Sequence, residues 1–184
     1  MIKENHLRIG IILGSTREGR VSPQVGEWIK ANAESRQDAV YEIVDIKTYQ
    51  LPLLGESNNL EGVNRWNEKI ASLDGFVFIV PEYNHGMTGV LKNALDSAYE
   101  AWNNKPAGLV SYGSALGSRA AEQVRLVLGE LQVADVRAQV LLSLFTDFID
   151  GVEFNPHKRH LKNLNTMLDQ LTRWAEAFQS IRNQ

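Results

Sequence analysis

Cysteine is absent from all 184 residues, which removes disulfides, thiol nucleophiles and cysteine-ligated metals in one step. No block of like charge occurs either, and a net charge of -3 argues against nucleic acid as the main partner. No apolar run approaches the roughly 20 residues that cross a bilayer, and residues 1–6 lack the apolar centre of a secretory signal. A cytoplasmic protein without membrane contact is expected. Internal repeats, low-complexity tracts and long linkers are missing as well, so the span 1–184 reads as one domain. His157 and His160 lie three apart with no third ligand near them in sequence, so no metal site is expected and both histidines should face solvent.

What is present is alternation. With 43% hydrophobic and 22% charged residues, a chain of this length can bury most of its apolar surface. Strands are predicted over 7–13, 39–46, 75–80, 106–112 and 135–142, and helices over 22–34, 60–72, 88–102, 118–131 and 156–182. Continuous apolar strands between amphipathic helices imply a parallel sheet covered on both faces, an α/β doubly wound fold. Leu91, Leu95, Ala98 and Trp102 recur at helical spacing as core positions, and the last helix carries the stripe Leu161, Leu164, Leu168, Leu171, Ala175 and Phe178.

Two strand ends stand out chemically. The run Gly75 to Val80 stops at Pro81-Glu82-Tyr83-Asn84-His85-Gly86. Proline has no N–H to continue a ladder, so the amides of Glu82, Tyr83 and Asn84 should become free to meet a ligand, beside an aromatic ring. Thr88 can cap the helix that follows. Earlier, Leu7 to Leu13 breaks into Gly14-Ser15-Thr16-Arg17-Glu18-Gly19-Arg20-Val21-Ser22-Pro23, in which Ser22 and Pro23 read as N-cap and first position of a helix. Glycines, hydroxyls, two guanidiniums and a helix N-terminus suit a phosphate.

Missing residues narrow the ligand. Arg20 and Val21 stand where a P-loop needs Lys and Ser/Thr, and Gly10 and Gly14 lack the spacing of a dinucleotide fingerprint. A nucleoside triphosphatase and a Rossmann NAD site are therefore disfavoured. A loop for one terminal phosphate and a second for a flat ring describe FMN.

Here the chain resembles the NADPH-dependent FMN reductase family, the flavodoxin-like quinone, azo and chromate reductases. The likeness rests on Gly14 to Arg17 with Gly19-Arg20, on Pro81 to Gly86, on Leu91-Lys92-Asn93-Ala94-Leu95-Asp96, and on Lys105-Pro106 through Val110-Ser111-Tyr112-Gly113-Ser114. The resemblance implies FMN as cofactor and NADPH or NADH as donor. It places Ser15, Arg17, Arg20, Val21 and Ser22 at the phosphate, and Pro81, Glu82, Tyr83 and Asn84 along the ring and ribityl chain. Ser111, Tyr112, Gly113 and Ser114 then flank the ring's other side. Together with right-handed crossovers it implies strand order 2-1-3-4-5, and it also implies a homodimer.

The expected activity is a ping-pong transfer of hydride from NAD(P)H through flavin N5 to a quinone, flavin or similar small acceptor. No side chain is assigned a catalytic proton transfer, because hydride transfer to a flavin needs no protein base. Glu82 is expected to position through its backbone, Asn84 to act through its side chain at the pyrimidine rim, and His85 to line the substrate side or cap local backbone. A flavodoxin-type electron carrier without NAD(P)H turnover is the alternative, as is a non-flavin regulatory module on the same fold. Trp66, Tyr99, Trp102 and Leu51 to Leu54 read as apolar groups near the flavin mouth, available to a homodimer that can pair into a tetramer. Residues 144–154 are unusually aromatic for a connection and read as a contact surface, or as packing beneath the last helix.

Overall fold

The computed structural model describes residues 6–182; the expectation for the N-terminal segment falls mainly on residues outside that range. The elements follow in chain order as β1 (Leu7–Leu13), α1 (Ser22–Glu34), β2 (Ala39–Asp45), a 3-10 turn (Ile46–Tyr49), α2 (Leu60–Ala71), β3 (Gly75–Pro81), α3 (Gly89–Asp96) and α4 (Tyr99–Trp102). Then come β4 (Lys105–Gly113), α5 (Ser118–Glu130), β5 (Val133–Ser143), β6 (Phe148–Ile149), β7 (Glu153–Phe154) and α6 (Arg159–Arg182). The five long strands form one parallel sheet in the order β2-β1-β3-β4-β5, so the flavodoxin-like topology holds.

Alternation along the strands builds two cores. Phe76, Phe78 and Val80 of β3 face Trp66, Leu91, Trp102 and Val124 on one side of the sheet. Val77 and Ile79 face Val25, Ile29, Leu164 and Leu168 on the other. Because β3 is central, all seven of its residues are buried, which is why its sequence is an unbroken apolar run rather than an alternating one.

The helix expected over 88–102 is two helices. Continuing it would require the carbonyls of Ala94 and Leu95 to accept backbone amides four residues on. Instead the Trp66 indole donates to Ala94 O at 2.8 Å and the Trp102 indole to Leu95 O at 3.0 Å, while Asn67 Nδ2 takes Ser97 O at 2.8 Å. Both tryptophans are fully buried, so they belong to the core and not to a surface at the flavin mouth. Tyr99, Leu53 and Leu54 do remain exposed.

The last helix starts at Arg159 rather than at 156, and the reason is Asp147. Its carboxylate accepts from Ser143 N (2.8 Å) and His157 N (3.1 Å) and pairs with His160 Nε2 (2.8 Å). These contacts hold the Asp147 carboxyl below the usual carboxylate range although burial pushes it upward. His160 is thus buried, against the expectation of a solvated ring. Between Asp147 and α6, the left-handed pair Asp150-Gly151 turns β6 back onto β7. Phe148 and Phe154 stack on each other and reach Tyr112 and Trp28, whereas Phe145 and Val152 stay exposed.

Candidate active site

The carboxyl ends of β1, β3 and β4 lie side by side, so their three loops share one edge of the sheet. The first loop is tied down at its start. Gly14 N donates to Ile79 O at 3.1 Å, and Gly14 O accepts from Thr88 Oγ1 at 2.6 Å while the same Thr88 oxygen caps α3 through Leu91 N at 3.1 Å. One hydroxyl therefore registers the first loop against the helix after the proline loop.

Further along, the Ser15 and Ser22 hydroxyls are buried and bonded to each other at 2.7 Å. Ser22 is the first helical residue, not the N-cap. Val21 occupies that position without a side-chain cap; Pro23 has no N–H and the Gln24 and Val25 amides both donate to Val21 O, at 3.1 and 3.3 Å, so the helix start offers the loop the Val21 and Ser22 amides. Arg20, expected at a phosphate, grips Asp45 with both terminal nitrogens and also donates to Ser15 O. Its role in this structure is to hold the loop to the end of β2. Burial pushes the Asp45 carboxyl up, and the Arg20 guanidinium overcomes it, leaving Asp45 below its ordinary value. Arg17 is different: its Nε donates to the Tyr83 hydroxyl at 2.6 Å, joining the first loop to the second.

The second loop is a miniature hairpin. The ladder runs through Pro81, which pairs with Tyr112, and Glu82 N still donates to Tyr112 O at 3.0 Å. Tyr83 and Gly86 exchange two backbone bonds of 3.0 and 2.9 Å around Asn84 (φ 47°) and His85 (φ 70°). Two successive left-handed residues make the turn that suits a two-residue hairpin, and asparagine tolerates that region better than most side chains. The amides of Glu82 and Tyr83 are consequently engaged, against expectation; Asn84 sits exposed at the tip.

Glu82 acts through its carboxylate as well as its backbone. It accepts from Arg119 N (3.1 Å), Ala120 N (3.4 Å) and Arg119 Nε (2.6 Å), fastening the N-terminus of α5 to the proline loop. Burial would raise its pKa, but the Arg119 bond and the two amides lower it, which suits a fixed anion and not a base. Glu82→Gln is expected to cost about 1–2 kcal/mol of stability in denaturant unfolding. Flavin reduction by NADPH should stay within a few-fold, since loss of a true general base costs about 10²-fold or more. His85 turns toward the same guanidinium, with Nε2 at 2.8 Å from Arg119 Nη1. Arginine only donates, so Nε2 is the acceptor in this contact.

The third loop is mostly interior. Ser111 donates to Leu116 O at 2.9 Å, and a Cβ on Gly113 would stand 3.1 Å from that of Glu82. Tyr112, expected beside the ring, is buried under Ser15 and Ser22; its hydroxyl has no bond of ordinary geometry, and burial pushes it up to about 12. Ser114 alone of the four is exposed.

These loops bound an open cavity of about 640 Å³ lined by Ser15, Thr16, Arg17, Leu53, Tyr83, Asn84, Met87, Thr88, Gly89 and Val90. Sequence reading singled out four of these as site residues and missed the α3 start, whose side chains return to the cavity one turn after the hairpin. The lining combines Ser15 and the Arg17 guanidinium with Tyr83, the Asn84 amide and the apolar Met87 and Val90; Ser22, bonded to Ser15, is buried behind it. A Cβ on Gly89 would meet nothing within 4 Å. This donor set fits an FMN. Among the described residues no group of His, Asp or Glu is placed to hold a metal ion.

Comparison with known proteins agrees with that chemistry. A Schizosaccharomyces pombe NAD(P)H-dependent FMN reductase is 35% identical over 179 residues, covering 89% of this chain and 90% of the relative. A 2-hydroxy-1,4-benzoquinone reductase from a Burkholderia species is 33% identical over 120 residues, 61% of this chain and 62% of that protein. In solved structures, the Paracoccus denitrificans flavoenzyme FerB, an NAD(P)H:(acceptor) oxidoreductase, superposes with a TM-score of 0.75 at 20% identity, covering 94% of this chain and 98% of its own. The sequence model described as NADPH-dependent FMN reductase matches residues 7–147, from the start of β1 through all three loops to Asp147, and the chain belongs to that family.

Proposed function

We propose that the cavity between the first loop and the proline hairpin holds FMN, and that donor and acceptor use its exposed face in turn. That the chain is an NAD(P)H-dependent oxidoreductase working with FMN follows from its family and from its FMN and quinone reductase relatives. The observation that carries the placement is the 2.6 Å bond from Arg17 Nε to the Tyr83 hydroxyl, which brings the anion-binding and ring-binding loops to one cavity. Bound there, FMN supplies two-electron chemistry between a nicotinamide and a small acceptor.

The chain's own residues supply position and field. Ser15, Arg17 and Ser22, with the amides at Val21 and Ser22, hold the phosphate. Arg20 keeps that loop in place, and the Pro81–Asn84 hairpin sets the ring edge, where the Asn84 amide both donates and accepts. Glu82 and Arg119 fix the hairpin to α5, so its tip does not have to be ordered when substrate arrives. The span 1–184 works as one domain, in the cytoplasm, as a homodimer able to pair into a tetramer. Exposed Leu53, Leu54, Tyr99 and Leu126 support the homodimer. Among the described residues no helix is long and apolar enough to cross a membrane.

Initial rates with NADPH and a quinone both varied test the turn-taking: parallel double-reciprocal lines are expected, and converging lines would refute it. For the phosphate site, Arg17→Ala should weaken FMN binding by about 1.5–3 kcal/mol, more than Arg20→Ala does, and leave riboflavin affinity in place. Titration of apoprotein with both flavins reads this out, and equal losses for the two would put the phosphate elsewhere.

A further inference from the structure

After the 3-10 turn the chain leaves the sheet for residues 50–59, a stretch with no ladder partner. Its backbone is instead held by two asparagine side chains. Asn93 of α3 donates from Nδ2 to Pro52 O at 2.7 Å and accepts from Leu54 N at 2.9 Å, supplying both bonds that a neighbouring strand would make. Asn59 donates to Tyr49 O and Gln50 O at 3.2 and 3.0 Å and caps Gly62 N. Pro52 restricts the segment's freedom further.

This fixed segment presents apolar groups that the core does not take. Leu53 and Leu54 are each 66% exposed. Leu53 lines the same cavity as Tyr83 and Asn84, and Leu54 lines a second recess of about 460 Å³ with Tyr99 and Leu126. Leu51 and Asn93 itself line a third hollow of about 290 Å³ with Lys47 and Thr16. One tethered strip is therefore a wall of three cavities. Its position is set through α3, whose cap Thr88 is bonded to Gly14 of the first loop, so the wall is registered to the same point as the cofactor site.

We propose that Asn93 is a positioning residue that holds Leu51–Leu54 as the outer wall of the acceptor site, and that Leu53 on this wall limits the bulk of a flat, uncharged ring acceptor. The inference rests on the functional reading above, in which the acceptor uses the exposed face of FMN in this cavity. An amide is required at 93 because it must donate to one backbone group and accept from another; a carboxylate would set oxygen against the Pro52 carbonyl. A loose wall would admit larger rings and hold small ones less well.

The test uses Asn93→Ala, Asn93→Asp and Leu53→Ala. Amide hydrogen exchange across 51–56 should quicken about tenfold in Asn93→Ala and also rise in Asn93→Asp. For each enzyme, kcat/KM is measured with a one-ring and a three-ring quinone. Both acceptors draw on the same reduced enzyme, so a defect in the donor step cancels in their ratio. The wild-type preference for the smaller quinone should shrink about tenfold in Asn93→Ala and in Leu53→Ala. Leu53 is exposed, so its truncation keeps the test alive should Asn93→Ala fail to fold. An unchanged ratio in Leu53→Ala, or faster exchange in Asn93→Ala with the ratio intact, overturns the inference. If wild-type enzyme is not reduced by NADPH the functional reading falls with it, a failure seen in a separate assay.

Discussion

Gly14→Ala is expected to lose about 3 kcal/mol or more of stability and, with it, most FMN affinity. The added Cβ would stand 2.3 Å from Ile79 O, a backbone atom, with Leu91 Cδ2 at 3.2 Å and Pro81 Cδ at 3.3 Å closing the other sides. No rotamer change relieves contact with a carbonyl of the central strand. β1 and β3 must separate at their carboxyl ends, where Gly14 N meets Ile79 O and Gly14 O meets Thr88, so the strain is delivered to the first loop and to the start of α3 together. Gly129→Ala is the control. Its Cβ meets nothing within 4 Å on α5, and it should stabilise by up to about 1 kcal/mol through helix propensity. Denaturant unfolding of the apoproteins, with FMN titration of each, compares the two. A Gly14→Ala protein as stable as wild type would mean that the strand ends are not locked as described.

Arg20→Ala should cost about 2–3 kcal/mol, more than Arg17→Ala, although both arginines belong to the same loop. Arg17 is largely exposed, whereas the Arg20 side chain is 12% exposed and grips Asp45, itself 22% exposed. Removing Arg20 leaves a carboxylate with only the Lys47 amide and frees Ser15 O. The double variant Arg20→Ala/Asp45→Ala should recover part of the loss, because no unpaired charge is then left behind. The sign of the pH dependence follows from Asp45. Its folded pKa lies below the unfolded one, so the pair's contribution is present above the ordinary carboxylate range and fades as pH falls through the lowered value. Chemical denaturation between neutral and acid pH, for wild type and the double variant, shows whether the difference closes in acid.

Much of the architecture was legible because the strands are central and parallel: Ile9 to Leu13 and Phe76 to Val80 are buried on both faces, and such burial writes continuous apolar runs. What escaped depends on partners distant in sequence. Nothing local in residues 88–102 announces that the Trp66 indole will take the carbonyl of Ala94. Likewise, nothing in Gly14 to Pro23 says that Arg20 will turn to Asp45 at the end of another strand.

Other features left a signal that went unused. His160 lies four residues before Leu164, on the same stripe that is buried through Leu168, Leu171 and Ala175, so its burial was readable from periodicity. Tyr112 is two residues after Val110 in a strand, hence on the same inward face. Asp150-Gly151 between aromatic pairs is a hairpin signature. At the site, residue types announced phosphate and ring chemistry, but the division of labour between Arg17 and Arg20, and between the backbone and carboxylate of Glu82, is set by tertiary contacts.

The absorbance spectrum of purified protein, recorded before and after anaerobic addition of NADPH, tests the central claim most directly. The account predicts a yellow protein, or a colourless one that turns yellow with one equivalent of FMN, whose flavin absorbance bleaches rapidly on mixing with NADPH and returns when a quinone is added. Protein that takes up FMN yet stays yellow under NADPH would be a carrier, and protein that takes up none would contradict the site itself.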